Sequence, residues 1–191
     1  MMQPVEIRTK GLLLREMTPR DASLLREVTS DAEVVRYLSY GPTSAGEVQA
    51  LIDYARASAQ ALPRLDYVLA IEDRDTGRLI GSCGLHGERG APGEREVYFV
   101  LRRDVWGRGI AGEAVAALIE FGFRDVGLTR IVGVAHPDNV ASIRVMARAG
   151  MTFDGEVPDA FEDADGWRAG RRYAILRPEP SHPQPPPPGQ G

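Results

Sequence analysis

Apolar residues recur along the chain at two spacings, and the switches between them mark its elements. Leu12-Leu13-Leu14 is a short apolar run ended by Thr18-Pro19, which predicts a first strand. Thr18 then offers an N-cap with Pro19 at the first helical position, and Leu24, Leu25 and Val28 follow at helical spacing. Val34, Val35 and Leu38 predict a second short turn, broken by Gly41-Pro42. A longer helix is predicted from Thr43 or Ser44 to near Leu62, with Val48, Leu51, Ile52 and Ala55 on one face and Pro63 as its stop. Strands at Leu65–Glu72 and Leu79–Leu85 flank the polar stretch Asp73–Arg78, the pattern of a hairpin. A Gly-rich connection, Gly87–Gly93, leads into Glu96–Leu101, which is apolar on both alternating faces, as a central strand covered on both sides should be. After Gly112 a helix is predicted to near Asp125, followed by a strand at Arg130–Ala135 and a helix at Val140–Ala149 closed by Gly150. Two last strands are predicted at Thr152–Val157 and Trp167–Arg177. No repeat is present, and the order predicts a mixed α/β (α+β) domain rather than a strict βαβα alternation.

Composition narrows the class. The chain is 43% apolar and 26% charged, with a formal net charge of −4. That is globular composition, and no apolar run approaches the roughly 18 residues of a membrane span. The amino-terminal MMQPVEIRTK lacks the apolar stretch of a secretion signal, so a cytoplasmic location is expected. Seven of the fourteen prolines fall in Pro178–Gly191, too Pro-rich to build a core. The expected organisation is one domain over residues 1–177 with a Pro-rich disordered tail over 178–191. Cys83 is the single cysteine, which excludes an intrachain disulfide framework, and its place on a strand predicts a small core residue. The 22 arginines and one lysine are scattered and outnumbered by acids, which argues against nucleic acid as the main partner. His86, His136 and His182 lack metal-ligand spacing, so no metal is expected and none of them is assigned to catalysis.

One segment carries chemistry: Val100-Leu101-Arg102-Arg103-Asp104-Val105-Trp106-Gly107-Arg108-Gly109-Ile110-Ala111-Gly112. A central strand ends, glycines follow and a helix begins. The unpaired N–H groups of that helix's first turn, with the positive dipole end behind them, form a site for phosphate or diphosphate. Arg102, Arg103 and Arg108 add charge nearby. Gly107-Arg108-Gly109-Ile110-Ala111-Gly112 also satisfies the dinucleotide pattern G-x-G-x-x-G. A dinucleotide fold, however, needs an acidic residue at the tip of the next parallel strand, and here that strand ends Val134-Ala135-His136-Pro137. An NAD-linked oxidoreductase is the weaker reading.

Trp106-Gly107-Arg108-Gly109-Ile110-Ala111 is similar to the acyl-CoA diphosphate loop of the GNAT N-acetyltransferase superfamily, Gln/Arg-x-x-Gly-x-Gly/Ala. Trp106 at its first position resembles the Rim-type branch, which acetylates protein amino termini and small amines. Leu12-Leu13-Leu14-Arg15-Glu16, Ile80-Gly81-Ser82, and Asn139-Val140-Ala141-Ser142-Ile143-Arg144-Val145 before Gly150-Met151 resemble that branch too, so the likeness spans roughly residues 8–177. The resemblance implies a mostly antiparallel sheet of about six to seven strands flanked by about four helices. It implies splaying at the acetyl-CoA site, with a strand bulge near Phe99, Val100 and Leu101 whose N–H would polarise the thioester carbonyl. Trp106 to Gly112 and Asn139 would bind the co-substrate. An amine would then attack directly in a ternary complex, with no covalent enzyme intermediate.

The resemblance also supplies the catalytic candidates. Glu96 matches the carboxylate that often opens the central strand in the Rim-type branch and would draw the amine's proton through water; the alternative is a strand-end carboxylate paired with Arg95 or another arginine. The tyrosine that protonates the leaving thiolate in many relatives is replaced by Met146. Ser142 matches the Asn-x-x-Ser pattern and offers a hydroxyl instead; the alternative is that Asn139 is simply an N-cap, the favoured reading for that residue, and Ser142 a first-turn residue. The acidic stretch Asp154–Asp165, read as a loop beside the acceptor cleft, could attract a cationic amine or be a solvated run. Tyr98, Phe99 and Trp167 are expected in the core. The expected partner is a small-molecule or peptide amine, with no membrane, and a homodimer is left open. A non-catalytic acyl-CoA-binding module is the alternative that Met146 keeps in play.

Overall fold

Val68 and Ala70 project to one face of a strand and Leu69 and Ile71 to the other, and all four are fully buried, so the sheet needs apolar cover on both sides. The computed structural model describes residues 4–39, 41–87, 91–163 and 166–179 and has that arrangement. Among the described residues eight strands form one sheet: β1 (Glu6–Arg8), β2 (Leu12–Glu16), β3 (Tyr67–Asp73), β4 (Arg78–His86), β5 (Glu94–Leu101), β6 (Arg130–Ala135), β7 (Thr152–Asp163) and β8 (Gly166–Leu176). Their spatial order is β1-β2-β3-β4-β5-β6-β8-β7, and every neighbouring pair is antiparallel except β5 with β6. Among the described residues five α-helices flank the sheet: α1 (Ala22–Thr29), α2 (Ala32–Val35), α3 (Ala45–Gln60), α4 (Ile110–Phe121) and α5 (Val140–Arg148).

Two apolar clusters lie on opposite faces. Val115, Leu118 and Ile119 of α4 and Met146 of α5 pack on Leu69, Ile71, Cys83, Leu85 and Ile131. Leu25 and Val28 of α1 and Val48 and Ile52 of α3 pack on Val68, Ala70 and Val100. Each such Leu or Ile taken out of water contributes about 1.5–3 kcal/mol. Burial also pushes the Cys83 thiol up, so it stays protonated and behaves as the core residue expected.

Asp21, just before α1, is nearly fully buried. It accepts a bidentate pair from Arg15 Nη1 and Nη2 (2.9 and 2.8 Å) and a bond from Thr18 N–H (2.7 Å). Arg15 Nε in turn donates to Glu72 on β3 (2.8 Å), so one guanidinium ties α1 to the sheet. At the far end of the sheet Arg130 bridges Glu94 on β5 and Asp154 on β7.

The mixed, mostly antiparallel sheet is the architecture expected, with differences that have local causes. Strand β1 is only three residues with one apolar side chain, too short to show a period, and it exists through pairing with β2. Helix α4 starts at Ile110 rather than after Gly112, because Gly109 takes φ +80° and acts as its N-cap. The acidic stretch is not a loop: β7 continues through Asp163, its register with β8 interrupted at Phe153/Gly155 and Val157/Phe161. Asp154 is engaged by Arg130, which holds its carboxyl below the usual range, so it adds no open charge to a cleft. Trp167 is not in the core but 61% exposed on β8. The Pro-rich tail from residue 180 onward and Asp165 lie outside the described residues. No described helix is long and apolar enough to cross a membrane.

Candidate active site

Strands β5 and β6 pair only at Glu94↔Arg130, Arg95↔Ile131 and Glu96↔Val132, and then part. β5 continues to Leu101 beside β4, while β6 continues to Ala135 beside β8. The main-chain direction of β5 follows from two bonds: Arg102 N–H donates to Ile80 O (2.9 Å) and Arg130 N–H donates to Gly93 O (3.1 Å). Both set the same parity, with even-numbered residues bonding toward β4 and odd-numbered residues toward β6. Phe99 and Leu101 therefore aim their N–H and C=O groups into the divergence, past the last β6 partner.

The expected bulge near Phe99–Leu101 is not there. Register between β4 and β5 is unbroken from Gly81↔Leu101 to His86↔Glu96, and the irregularity on β4 falls on its other side, against Ile71/Glu72. The strands part because β6 swings to follow β8, with no inserted residue. β4 and β5 can approach this closely because Gly81 carries no side chain, where a Cβ would collide with the Val100 carbonyl.

β5 leads into the glycine loop. A short 3-10 turn, Arg103–Val105, precedes Trp106, whose indole N–H donates to Leu101 O (3.0 Å) and anchors the loop to the strand end. Gly107 and Gly109 adopt φ of +76° and +80°, a region L-residues avoid, and a Cβ at Gly107, Gly109 or Gly112 would meet nothing within 4 Å. Helix α4 has no side-chain cap; its first internal bond is Glu113 N–H to Gly109 O (3.1 Å), so the N–H groups of Ile110, Ala111 and Gly112 have no partner within the helix. Open space, glycine backbone and uncapped amides fit a diphosphate. Glu113, also in the first turn, is committed elsewhere: its Oε1 accepts from Thr9 Oγ1 (2.6 Å) and Gly11 N–H (2.7 Å), fastening the β1–β2 turn to α4.

The three arginines of the loop differ. Arg102 is paired with Glu27 (2.8 Å) and Asp104 (3.0 Å), and Arg103 with Asp31 (3.1 Å), so both hold the loop to the end of α1 and the turn beyond it. Arg108 is exposed and in no ion pair among the described residues, which leaves it as the cation able to reach a phosphate.

On the α1/α3 side the divergence opens into a cavity of about 600 Å³, walled by Leu38, Val48, Leu51, Val134, Val157 and Phe161, with Ser82, Glu96, Tyr98, Phe99 and Val100 on its sheet floor. A hollow of about 750 Å³ between β1 and α4 is lined by neither β5 nor β6.

The model of the acetyltransferase (GNAT) domain family matches residues 11–152. The chain belongs to this family. YnaD of Bacillus subtilis (strain 168), described as an uncharacterized N-acetyltransferase, is 30% identical over 176 residues, covering 92% of this chain and 99% of the relative. A GNAT-family acetyltransferase structure from Bacillus anthracis aligns with a TM-score of 0.78 at 24% identity, covering 90% of this chain and 98% of that one. Mycobacterium smegmatis RimJ, solved with CoA-disulfide, aligns with a TM-score of 0.76 at 21% identity, covering 91% and 86%. At these identities the structural likeness establishes the GNAT fold.

In this GNAT chain the two catalytic candidates occupy different parts of the splay. Glu96 is exposed at the last β5–β6 pair and lines the cavity. Asn139 is the N-cap of α5, its Oδ1 accepting from Ser142 N–H (3.1 Å), which is the capping arrangement weighed above; the half-buried Ser142 hydroxyl is not used in that bond. Met146 is buried in the α4/α5 core, and a Cβ at Gly133 would lie 2.6 Å from its sulfur. It fills the space under β6 and presents no proton donor.

Sequence reasoning missed a second polar group. His86 is the β4 residue directly opposite Glu96, and its ring stacks on Tyr98 at 4.6 Å between centroids. Asp66 holds it, Nδ1···Oδ1 3.2 Å. Tyr98, half-buried rather than core, reaches over Gly84, where a Cβ would lie 2.6 Å from its ring. No linear motif marks this cluster, because it is assembled by strand register.

Proposed function

We propose that this protein transfers the acetyl group of acetyl-CoA to a primary amine, by direct attack within a ternary complex. The observation that carries this reading is the parting of β5 and β6 after Glu96 beside a glycine turn that feeds the uncapped start of α4. In this reading the N–H groups of Ile110, Ala111 and Gly112, with Arg108, hold the diphosphate, and Trp106 fixes the turn that presents them. The Phe99 or Leu101 N–H donates to the thioester oxygen as negative charge grows on it. Asn139 and Ser142 at the start of α5 flank the co-substrate, and the Ser142 hydroxyl supplies a proton to the departing thiolate. A thiol's ordinary pKa of about 8.5 makes that donor helpful rather than essential, consistent with Met146.

Glu96 faces the cavity in which the acceptor would sit, and its carboxylate attracts an ammonium. The cavity's mostly apolar walls suit an amine on an apolar body, such as a peptide amino terminus of the Rim-type class, better than a polyamine. The buried Met146 favours one other reading, an acyl-CoA-binding module without turnover.

Calorimetric titration with acetyl-CoA, CoA and NAD, followed by thiol release from acetyl-CoA in the presence of peptide, apolar and polyamine acceptors, tests both. Binding of acetyl-CoA with amine-dependent CoA release is expected, fastest with peptide or apolar monoamines. Binding without release by any amine favours the module, and binding of NAD alone overturns both.

A further inference from the structure

We propose that His86 is a catalytic residue, the group that takes the acceptor's ammonium proton, and that Asp66 is its positioning residue; this rests on the transferase reading above. Four observations converge. His86 lines the cavity beneath the parting of β5 and β6. Cross-strand register sets it opposite Glu96, about 4.5–5.5 Å apart at Cβ. Its ring is fixed by stacking, 4.6 Å between centroids and 14° from parallel with Tyr98. And it is held at one nitrogen by a carboxylate that is itself held in place.

That last point decides the chemistry. Asp66 accepts from Tyr54 Oη–H (2.6 Å) and from Gly87 N–H (3.0 Å). Burial works to raise its carboxyl, and the hydrogen bonds from Tyr54, Gly87 and His86 outweigh it, leaving the group ionised. An ionised carboxylate only accepts, so His86 Nδ1 must carry the proton and donate. The lone pair of the neutral ring is then on Nε2, away from Asp66. An imidazole is the side chain best suited to take a proton near neutral pH. His136, by contrast, is buried, and its Nδ1 accepts from Asp138 N–H (3.2 Å), which places the ring proton on Nε2 and makes it a donor.

The groups around His86 are Asp66 before β3, Tyr54 of α3 acting through Asp66, Glu96 and Tyr98 of β5, and Arg95, whose guanidinium packs against Gly87. Glu47 of α3 lines the same cavity. Two carboxylates near the ring stabilise the imidazolium that forms. The step balances simply. The ammonium gives its proton to Nε2, the freed amine nitrogen bonds to the thioester carbon, the carbon–sulfur bond breaks, and the sulfur leaves with its electron pair. As the amide forms the nitrogen sheds its second proton, which balances protonation of the thiolate through the Ser142 hydroxyl, and the imidazolium returns the first proton to solvent. Glu96 then serves to draw the cation in.

The test compares wild type, His86→Gln, His86→Ala, Asp66→Asn and Glu96→Gln with a peptide amine, from pH 6 to 10. For His86→Gln, kcat at pH 7 is expected to fall about 100-fold, with the deficit closing toward pH 10, where the amine is already neutral. Acetyl-CoA affinity stays at the wild-type value. Added imidazole restores turnover in His86→Ala, and Asp66→Asn shows a smaller loss with the same pH trend. Glu96→Gln raises the KM for the amine more than it lowers kcat. With active wild type, a His86→Gln profile parallel to wild type, or a pH-dependent loss confined to Glu96→Gln, overturns the role of His86 and leaves the transferase reading intact. Wild type that releases no CoA with any amine overturns both.

Discussion

Gly109→Trp is expected to weaken acetyl-CoA binding by about 100-fold or more, about 2.7 kcal/mol, while the fold persists. The expectation follows from geometry. Gly109 is the N-cap of α4 at φ +80°, and a Cβ there enters open space rather than protein. An indole would occupy the volume in front of the Ile110, Ala111 and Gly112 amides, and charge-assisted bonds to such amides contribute about 1.5–3 kcal/mol each. Backbone strain is the competing explanation, since a side chain at positive φ costs about 1–2 kcal/mol. Gly127→Trp is the control. Gly127, beyond the other end of α4, has φ +79° and equally open surroundings, so it carries the same strain with no diphosphate nearby. Calorimetry on the two variants should separate them cleanly; equal affinity for both, at the wild-type value, would remove the site from this loop.

Asp21→Ala is expected to cost about 1.5–3 kcal/mol of stability, because the Arg15 Nη groups and the Thr18 N–H lose their charged acceptor while Glu72 still balances the guanidinium. The sign of the pH effect follows from the direction of its shift. Hydrogen bonds from Arg15 and Thr18 outweigh the opposing effect of burial and hold the carboxyl below the usual range. Its contribution is therefore complete above the unfolded value of about 3.9 and disappears as pH falls through the lower folded value. Urea unfolding of wild type and variant should differ most at pH 7 and converge as pH falls through the lowered folded value. A difference that grows on acidification would refute the assignment. Function should follow stability here, because Asp21 anchors α1, and Glu27 and Asp31, on and just after that helix, hold Arg102 and Arg103 at the glycine loop.

What the sequence made legible was whatever is written in consecutive residues. The strand–glycine–helix run from Val100 to Gly112 was visible because its chemistry depends on backbone at fixed offsets, and β3, β4 and β5 were visible as apolar runs. What escaped depends on pairing. β1 has too few residues to carry a period, and β7 was truncated because its acidic positions resemble a solvated loop. His86 looked like an isolated histidine because Asp66 lies 20 residues before it and Glu96 meets it only through the β4–β5 register. Arg102 and Arg103 looked available for phosphate because Glu27 and Asp31 are distant in sequence. The bulge was expected from family resemblance alone, whereas the parting of the strands comes from β6 following β8.

The uneven pairing of β5 should be readable one amide at a time. Tyr98 and Val100 bond toward β4, while Phe99 and Leu101 face where β6 has already turned away. Hydrogen–deuterium exchange on the protein alone should thus alternate from Tyr98 to Leu101, slow at the even positions and fast at the odd ones. Saturating acetyl-CoA should slow the odd amides selectively, as though a sheet with half a ladder had been given its missing rungs.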